Sequence, residues 1–543
     1  MSDQPKNPSV WERSTTRRLF HWLFNWRGIR RLIIVLVWPV TIIGLLYGEE
    51  NWRGRRAWNQ YREATEARGV SLDFRSYIPK PVPDEQNFAA TPFLKSIFLS
   101  NSVRLPYDLY ARAADNIAET NLAKDRGRRH FTDLAAWQLA AAAIQGGELV
   151  NEHLPSQQRF ETDKTDLAAR AAAAPAVLEG LKPDAAVFAE LRAASTREFS
   201  RYPLAYDLEN PTAIVLPHLS GIKMLSQRLS LQASAELAAG QSDAALADVK
   251  LNLSLADSIK PEPFVVSFLV RANSIQIAIH PVWEGLAEHR WTDAQLQELQ
   301  ARFLSYDFLA DMQQSLKIEP VMAVQLADLS SRMGLGVLLQ FAEALKGWHV
   351  PDDAALHLLG WIIPSGWYDQ EKLNCGTLFD AQMDGVVDLA AKRVLPRKVA
   401  ANAAELSRQI YGDASWGQGA SKAILHHRVI AKLLLPYVNG IPLKAAWAQT
   451  AADEAAMACA LERYRLANGQ FPETLESLTP RFISHPPHDV ITGQPYKYRR
   501  ADDGQFILYS IGWNEKDDGG APGKALFDQT QGDWVWSYPP KTD

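Results

Sequence analysis

The chain has 543 residues, of which 47% are hydrophobic and 22% charged, and a formal net charge of −5. That length suits roughly two to four domains, and that apolar content excludes a disordered chain. The small negative balance supplies no global field for nucleic acid, and no recognition helix or aromatic–basic platform stands out. The two cysteines, Cys375 and Cys459, are too few for a disulfide scaffold or a structural zinc site. Both sit among apolar neighbours and are expected as buried free thiols.

The N-terminus reads as a membrane anchor. Residues 1–31 carry Lys6, Arg13, Arg17, Arg18, Arg27, Arg30 and Arg31 against Asp3 and Glu12. The run 32–48 that follows holds no charge. It approaches the ~20 apolar residues a bilayer core takes, and the aromatic and Arg residues at its edges complete the span. No small-residue cleavage pattern follows it, so an uncleaved signal anchor is expected rather than a removed leader. The basic flank places the N-terminus in the cytoplasm and the residues after 48 on the periplasmic side of a bacterial inner membrane. Pro39 inside the run is a matter of helix geometry.

Residues 49–106 divide into a juxtamembrane helix over 52–68, closed by Gly69, and a connector with prolines at 79, 81, 83 and 92. The prolines forbid a regular helix there. From 107 to 440 the signals are helical. Alanine-rich stretches at 134–145 and 167–181 have high helix propensity. In 226–259, Leu229, Ala233 and Leu237, then Ala245, Val249, Leu253 and Ala256, fall at helical spacing around Gly240. This predicts an antiparallel pair, with Ser242 or Asp243 as the second cap. The pair resembles one tetratricopeptide-type unit and lacks a second copy. The segment 261–283 is apolar but interrupted by Arg271, Asn273 and Gln276, which predicts a core helix. Residues 291–312 predict an amphipathic helix capped at Thr292 or Asp293. Short apolar pieces at 334–345 and 356–367 are too brief to span.

Chemistry is sparse. There is no H-E-x-x-H, P-loop, G-x-S-x-G or dinucleotide fingerprint. Asp352 and Asp353 follow a proline and suit helix caps. His218, His280, Glu284 and His289 are the residues whose convergence on one pocket would mark a membrane-anchored hydrolase.

The last hundred residues, 441–543, form a module. A helix over 445–467 ends at Asn468-Gly469, a short helix covers 473–478, and alternating strands follow at 495–498 and 506–509 around Asp502-Asp503-Gly504. A third strand at 534–536 completes a small antiparallel sheet on one helix. The order Ala460-Leu461-x-x-Tyr464, Gly469-x-Phe471-Pro472, Leu475, Leu478, Pro487-x-Asp489, Gly493-x-Pro495-Tyr496-x-Tyr498, Tyr509-Ser510-x-Gly512 and Gly519-Gly520 resembles the C-terminal half of the type II secretion major pseudopilins. The resemblance implies that fold. It also implies a calcium loop over 510–533, with Asp517, Asp518 and Asp528 as side-chain ligands and Ser510 through its carbonyl. The G-F-x-x-x-E processing site of pseudopilins is absent from the anchor, which speaks against a processed pilus subunit. The whole chain also resembles large single-pass membrane proteins of bacteria with complex envelopes, and that resemblance carries no activity with it.

The fold class expected is therefore mainly α: a single transmembrane helix, a large all-α body with one repeat-like hairpin, and a C-terminal α+β module with a three-stranded antiparallel sheet. The function expected is a non-catalytic scaffold or assembly protein of the envelope. Its partners are the lipid bilayer and other envelope proteins, and nucleic acid is not among them. Calcium is the one candidate cofactor.

Overall fold

The computed structural model describes residues 26–100, 129–145, 166–207, 210, 213–334, 336–338, 363–411 and 426–539. The basic stretch up to residue 25, the start of the helical body at 107–128, Asp352 with Asp353, and most of 334–345 and 356–367 lie outside them. The chain forms two compact units, Met1–Gly69 with Ala327–Asn374, and Val70–Leu326 with Cys375–Asp543.

In the first unit, α1 (Trp26–Ala67) is one continuous helix through the apolar run and the juxtamembrane segment. The left-handed Gly69 follows it, at φ 80°, as expected of a residue without a Cβ. Here α1 meets the start of the helix Ser365–Met383. Asn51 Oδ1 accepts from the Gly366 amide at 2.8 Å and from the Ser365 hydroxyl at 3.1 Å. Two otherwise orphaned donors at a helix start are thereby satisfied. Lys372 is held by Asp328 at 2.5 Å and lies over the Trp58 ring.

In the second unit the proline-rich connector is not simply extended. It makes short 3-10 turns at Phe74–Tyr77, Asp84–Gln86 and Phe88–Ala90, then α2 (Pro92–Ser100). Pro92 begins that helix, because a first-turn amide has no intrahelical partner to lose. Next come α3 (Leu134–Gln145), α4 (Leu167–Gly180), α5 (Ala185–Ala194), α6 (His218–Ala238), α7 (Ser242–Asp257) and α8 (Val265–Ala287). The predicted pair is α6 and α7, turning at Gly240 with φ 78°. The cap position of α7 is Gln241, without a side-chain bond, rather than Ser242 or Asp243. The predicted helix over 291–312 is two, α9 (Asp293–Leu304) and α10 (Phe308–Leu316). Thr292 caps α9 in a capping box with Gln295, and Asp307 caps α10 through the Ala310 amide at 3.0 Å. Side-chain caps compete with helix continuation, which accounts for the break.

The chain continues with α11 (Glu319–Met333), α12 (Ser365–Met383), a two-stranded ribbon β1 (Val387–Asp388) and β2 (Arg393–Val394), α13 (Pro396–Tyr411), α14 (Val429–Val438) and α15 (Ile441–Asn468). The ribbon lies outside the all-α expectation for the body. Gly469 closes α15 at φ 81°. A 3-10 turn at Leu475–Leu478 leads to β3 (Lys497–Arg500), β4 (Phe506–Ser510) and β5 (Trp534–Trp536). They form an antiparallel sheet in that order, with Tyr498 opposite Leu508 and Leu508 opposite Trp536.

The core explains why body and module share a unit. Helix α8 packs on α6, α7 and α15, and α15 packs on α9 and α10. Along α15, Ala445, Ala448, Ala452, Ala455 and Ala458 are fully buried. Side chains that small let neighbouring helices approach closely. Residues on both sides of 440–441 belong to that unit.

Where one span was expected, three stretches in the described residues are long and apolar enough to cross a membrane: Ile33–Ala67, Val265–Ala287 and Val429–Asn468. The most apolar window of the first has none of its residues buried, against 78% and 56% for the other two.

Candidate functional site

The four residues named for a catalytic pocket fall at three places. His280 and Glu284 stand one turn apart on α8, with His280 Nε2 3.2 Å from Glu284 Oε1. Glu284 also accepts the Thr132 amide and Arg170 Nη2, each at 2.5 Å. Arg170 bonds Glu288 as well and lies over the Phe131 ring. Burial pushes the Glu284 carboxyl up, but Arg170 and His280 outweigh it and hold the group at about 2. Both carboxylate oxygens are engaged in a closed core, so this is a staple joining three segments.

His218 Nε2 sits 2.6 Å from Glu262 Oε1, and Ser267 donates to Glu262 Oε2 at 2.5 Å. Tyr202 stacks on the His218 ring at 4.3 Å. The carboxylate stands between serine and histidine, so the imidazole has no hydroxyl to activate. His289 Nδ1 meets Glu462 at 2.9 Å, and Arg465 binds the same carboxylate. None of these histidines lines the large cleft described below.

The acidic loop is also dispersed. Asp517 accepts the Gly519 amide at 3.0 Å and the Tyr509 hydroxyl at 3.1 Å. Asp518 accepts Asn514 Nδ2 at 2.9 Å and the Gly532 amide at 2.7 Å. Asp528 accepts the Thr530 amide at 2.9 Å and its hydroxyl at 2.7 Å. The Ser510 hydroxyl donates to Asp489 at 2.9 Å. Among the described residues no three His, Cys, Asp or Glu side chains are grouped to hold a metal ion. Calcium takes roughly six to eight oxygens around one point. These carboxylates close turns on neighbouring amides.

Two features lay outside the sequence expectations. The first is an acidic cluster under the sheet. Asp453 of α15 accepts Gln449 Nε2 and the Tyr496 hydroxyl, each at 3.0 Å. Burial raises its carboxyl to about 7, and raises Glu454 well above the usual range despite Arg129. Perturbed acids mark functional sites often enough to warrant inspection. The adjoining cavity, however, is only about 30 Å³, room for about one water. The acids are signalled in the sequence only as polar interruptions of an alanine-rich helix.

The second is a cleft of about 1230 Å³ in the second unit. Pro79, Pro81 and Pro83 of the connector form one wall. The opposite side comes from α7 and α9, with Lys250, Leu253, Asp257, Leu299 and Arg302. The connector is fixed to the segment after α5. Asn87 Nδ2 donates to the Arg201 carbonyl and Asn87 Oδ1 accepts the Arg201 amide, each at 2.8 Å. Phe88 and Phe199 pair through their backbones at 2.8 Å. Arg201 Nε donates to the Pro79 carbonyl at 2.9 Å, and Arg197 Nη1 to the Asn87 carbonyl at 2.8 Å. At the far end Arg271 is held by Asp257 at 2.8 Å and Asp311 at 2.6 Å.

Against known proteins, no family model matches the chain, and no curated protein and no solved structure matches it.

Proposed function

We propose that the chain is a non-catalytic scaffold, held in the inner membrane of a bacterial envelope by the single helix 32–48, with the residues after 48 on the periplasmic side. The observation that carries the anchor is the exposure of α1. Val35, Trp38 and Val40 are each 67% exposed and Leu45 69%. At about 25 cal/mol per Å² of apolar surface, such a helix is stable only in a medium that replaces water. The other two apolar stretches need no bilayer, because α8 and α15 place their apolar faces in the core of the second unit. Scaffolding is favoured over hydrolysis because the histidine–carboxylate pairs are buried at separate places, while the large cleft presents cations, prolines and hydroxyls. The C-terminal module is taken to share the pseudopilin arrangement of one helix on a three-stranded sheet, without the assembly role of a processed subunit.

Alkaline carbonate extraction and paired C-terminal reporters test this reading. The full chain is expected to stay with membranes, and an alkaline phosphatase fusion to be active. Release by carbonate would remove the anchor, and a fluorescent cytoplasmic reporter with an inactive phosphatase would reverse the orientation.

A further inference from the structure

We propose that the cleft between the proline-rich connector and helices α7 and α9 binds an extended acidic peptide segment of a partner protein. This rests on the scaffold reading and names the chemistry of its partner.

Charge is the first argument. Seven cations line the cleft against three carboxylates, in a chain whose net charge is −5. Arg271 and Arg302 share Asp257, Lys250 is paired with Glu298, and Asp311 just beyond the lining binds Arg271 at 2.6 Å and Lys260 at 3.3 Å. Arg197 and Arg201 are different. They donate to the carbonyls of Asp84, Asn87 and Pro79, which orient a guanidinium without cancelling its charge. Local positive excess of this kind attracts an acidic partner and fixes its register.

Shape is the second. The cleft exceeds the roughly 300–1,000 Å³ of small-molecule sites. Its cations do not converge on one point. Lys80 comes from the connector, Arg197 and Arg201 from the segment after α5, Lys250 and Lys260 from α7 and its end, and Arg302 from α9. That distribution lines a trough and does not cup a single phosphate. Pro81, Val82 and Pro83 of the connector also line it and keep exposed surface, so apolar side chains of the same ligand have something to meet. The walls are preorganised: three prolines fix φ along the connector, and the Asn87 clamp fixes it to Phe199 and Arg201. A wall that is already ordered costs little entropy on binding. An extended chain alternating acidic and apolar residues meets both sets of groups.

The test uses the full chain in phosphatidylcholine nanodiscs. A fluorescein-labelled peptide of about twelve residues, alternating Glu with Val and Ser, spans the trough at roughly 3.3 Å per residue. Anisotropy is expected to show binding that weakens with added salt, and no binding of the same peptide with Lys in place of Glu. The double variant K80E/K260E alters two exposed side chains. It is expected to weaken binding about tenfold, the scale of two rim charges, with a melting midpoint lowered by a few degrees at most, because Lys260 gives up its exposed pair with Asp311. Equal binding of both peptides, or an unaffected K80E/K260E variant, overturns the proposal. So does displacement of the peptide by glycerophosphoglycerol, which would assign the cleft to a lipid headgroup. A peptide that fails to bind a chain still resistant to carbonate extraction removes this inference alone and leaves the membrane-anchor reading intact.

Discussion

Glu236 of α6 and Asp248 of α7 set two buried carboxyls against each other across the helical hairpin. Arg192 and Gln232 bond the same pair. Burial, followed by the neighbouring Asp248, raises Glu236 to about 8. Burial raises Asp248 to about 6, against the pull of Arg192. In the unfolded chain both carboxyls lose their protons near pH 4. Between about pH 4.5 and 8 the folded state therefore binds more protons, and stability falls as pH rises through that window. The expected loss is on the order of 5 kcal/mol for the Glu236 proton alone. Glu236→Gln keeps a neutral donor facing Asp248. It is expected to melt above the parent at pH 8.5 and to match it at pH 5. A parent midpoint that stays level from pH 5 to 8.5 would contradict a protonated Glu236 in the folded chain.

The Arg170–Glu284 pair has the opposite sign. A carboxyl held at about 2 contributes stability that is present above its unfolded pKa near 4.5 and lost as pH falls toward 2. Arg170→Met leaves Glu284 buried with His280, the Thr132 amide and the Ser234 hydroxyl. Removing one partner of a buried pair costs about 3–5 kcal/mol. Urea unfolding at pH 7 is expected to show that loss. The double variant R170M/E284L is expected to recover much of it, because no unmatched charge remains. A loss under about 1 kcal/mol in R170M would mean that the pair is not the staple its geometry suggests.

Much of the scaffold was legible because it depends on local chemistry. The caps at Thr292 and Gly469, the turn at Gly240 and the three C-terminal strands are each signalled within a few residues. Asp307 marks the break between α9 and α10 just as locally, as a side-chain cap on the Ala310 amide. The site residues were not legible, because their partners lie far apart in the chain. Glu284 finds Arg170 and Thr132 from 114 and 152 residues away, and the cleft assembles segments between residues 79 and 306. No periodicity encodes such meetings. The acidic loop shows the converse: Asp517, Asp518 and Asp528 resemble ligands in sequence, yet each closes a bond on a nearby amide.

Gly54 and Gly366 lie where two helix backbones approach closely in the first unit. A Cβ on Gly54 would lie 2.2 Å from the Gly366 carbonyl oxygen, and one on Gly366 would lie 2.2 Å from the Glu50 carbonyl oxygen. No rotamer relieves a clash with backbone, so Gly54→Ala must separate the two helices. Overpacking costs about 1–3 kcal/mol, and the Asn51 bonds to Ser365 and Gly366 would lengthen with it. Faster proteolysis near residues 363–370, with residues 440–539 still protected, is the expected result. A G54A chain as resistant as the parent would show that the helices do not hold this contact in solution.

Asn87 gives the most direct test of how the cleft wall is built. Its side chain makes three bonds: from the Ala89 amide at 3.1 Å, from the Arg201 amide at 2.8 Å, and to the Arg201 carbonyl at 2.8 Å. Asn87→Ala leaves the Arg201 amide and carbonyl without their side-chain partner, at a cost of about 2–3 kcal/mol. The loss is local, because the connector is joined to the core through that segment and the helices beneath it are packed independently. Glutamyl endopeptidase is therefore expected to cut after the exposed Glu85 several-fold faster, while the global melting midpoint moves little. Asn87→Asp retains the two accepting bonds and is expected to lie between the parent and the alanine variant. If all three chains are cut at the same rate, the wall is held by the Phe88–Phe199 pairing and the arginines, and the asparagine is dispensable.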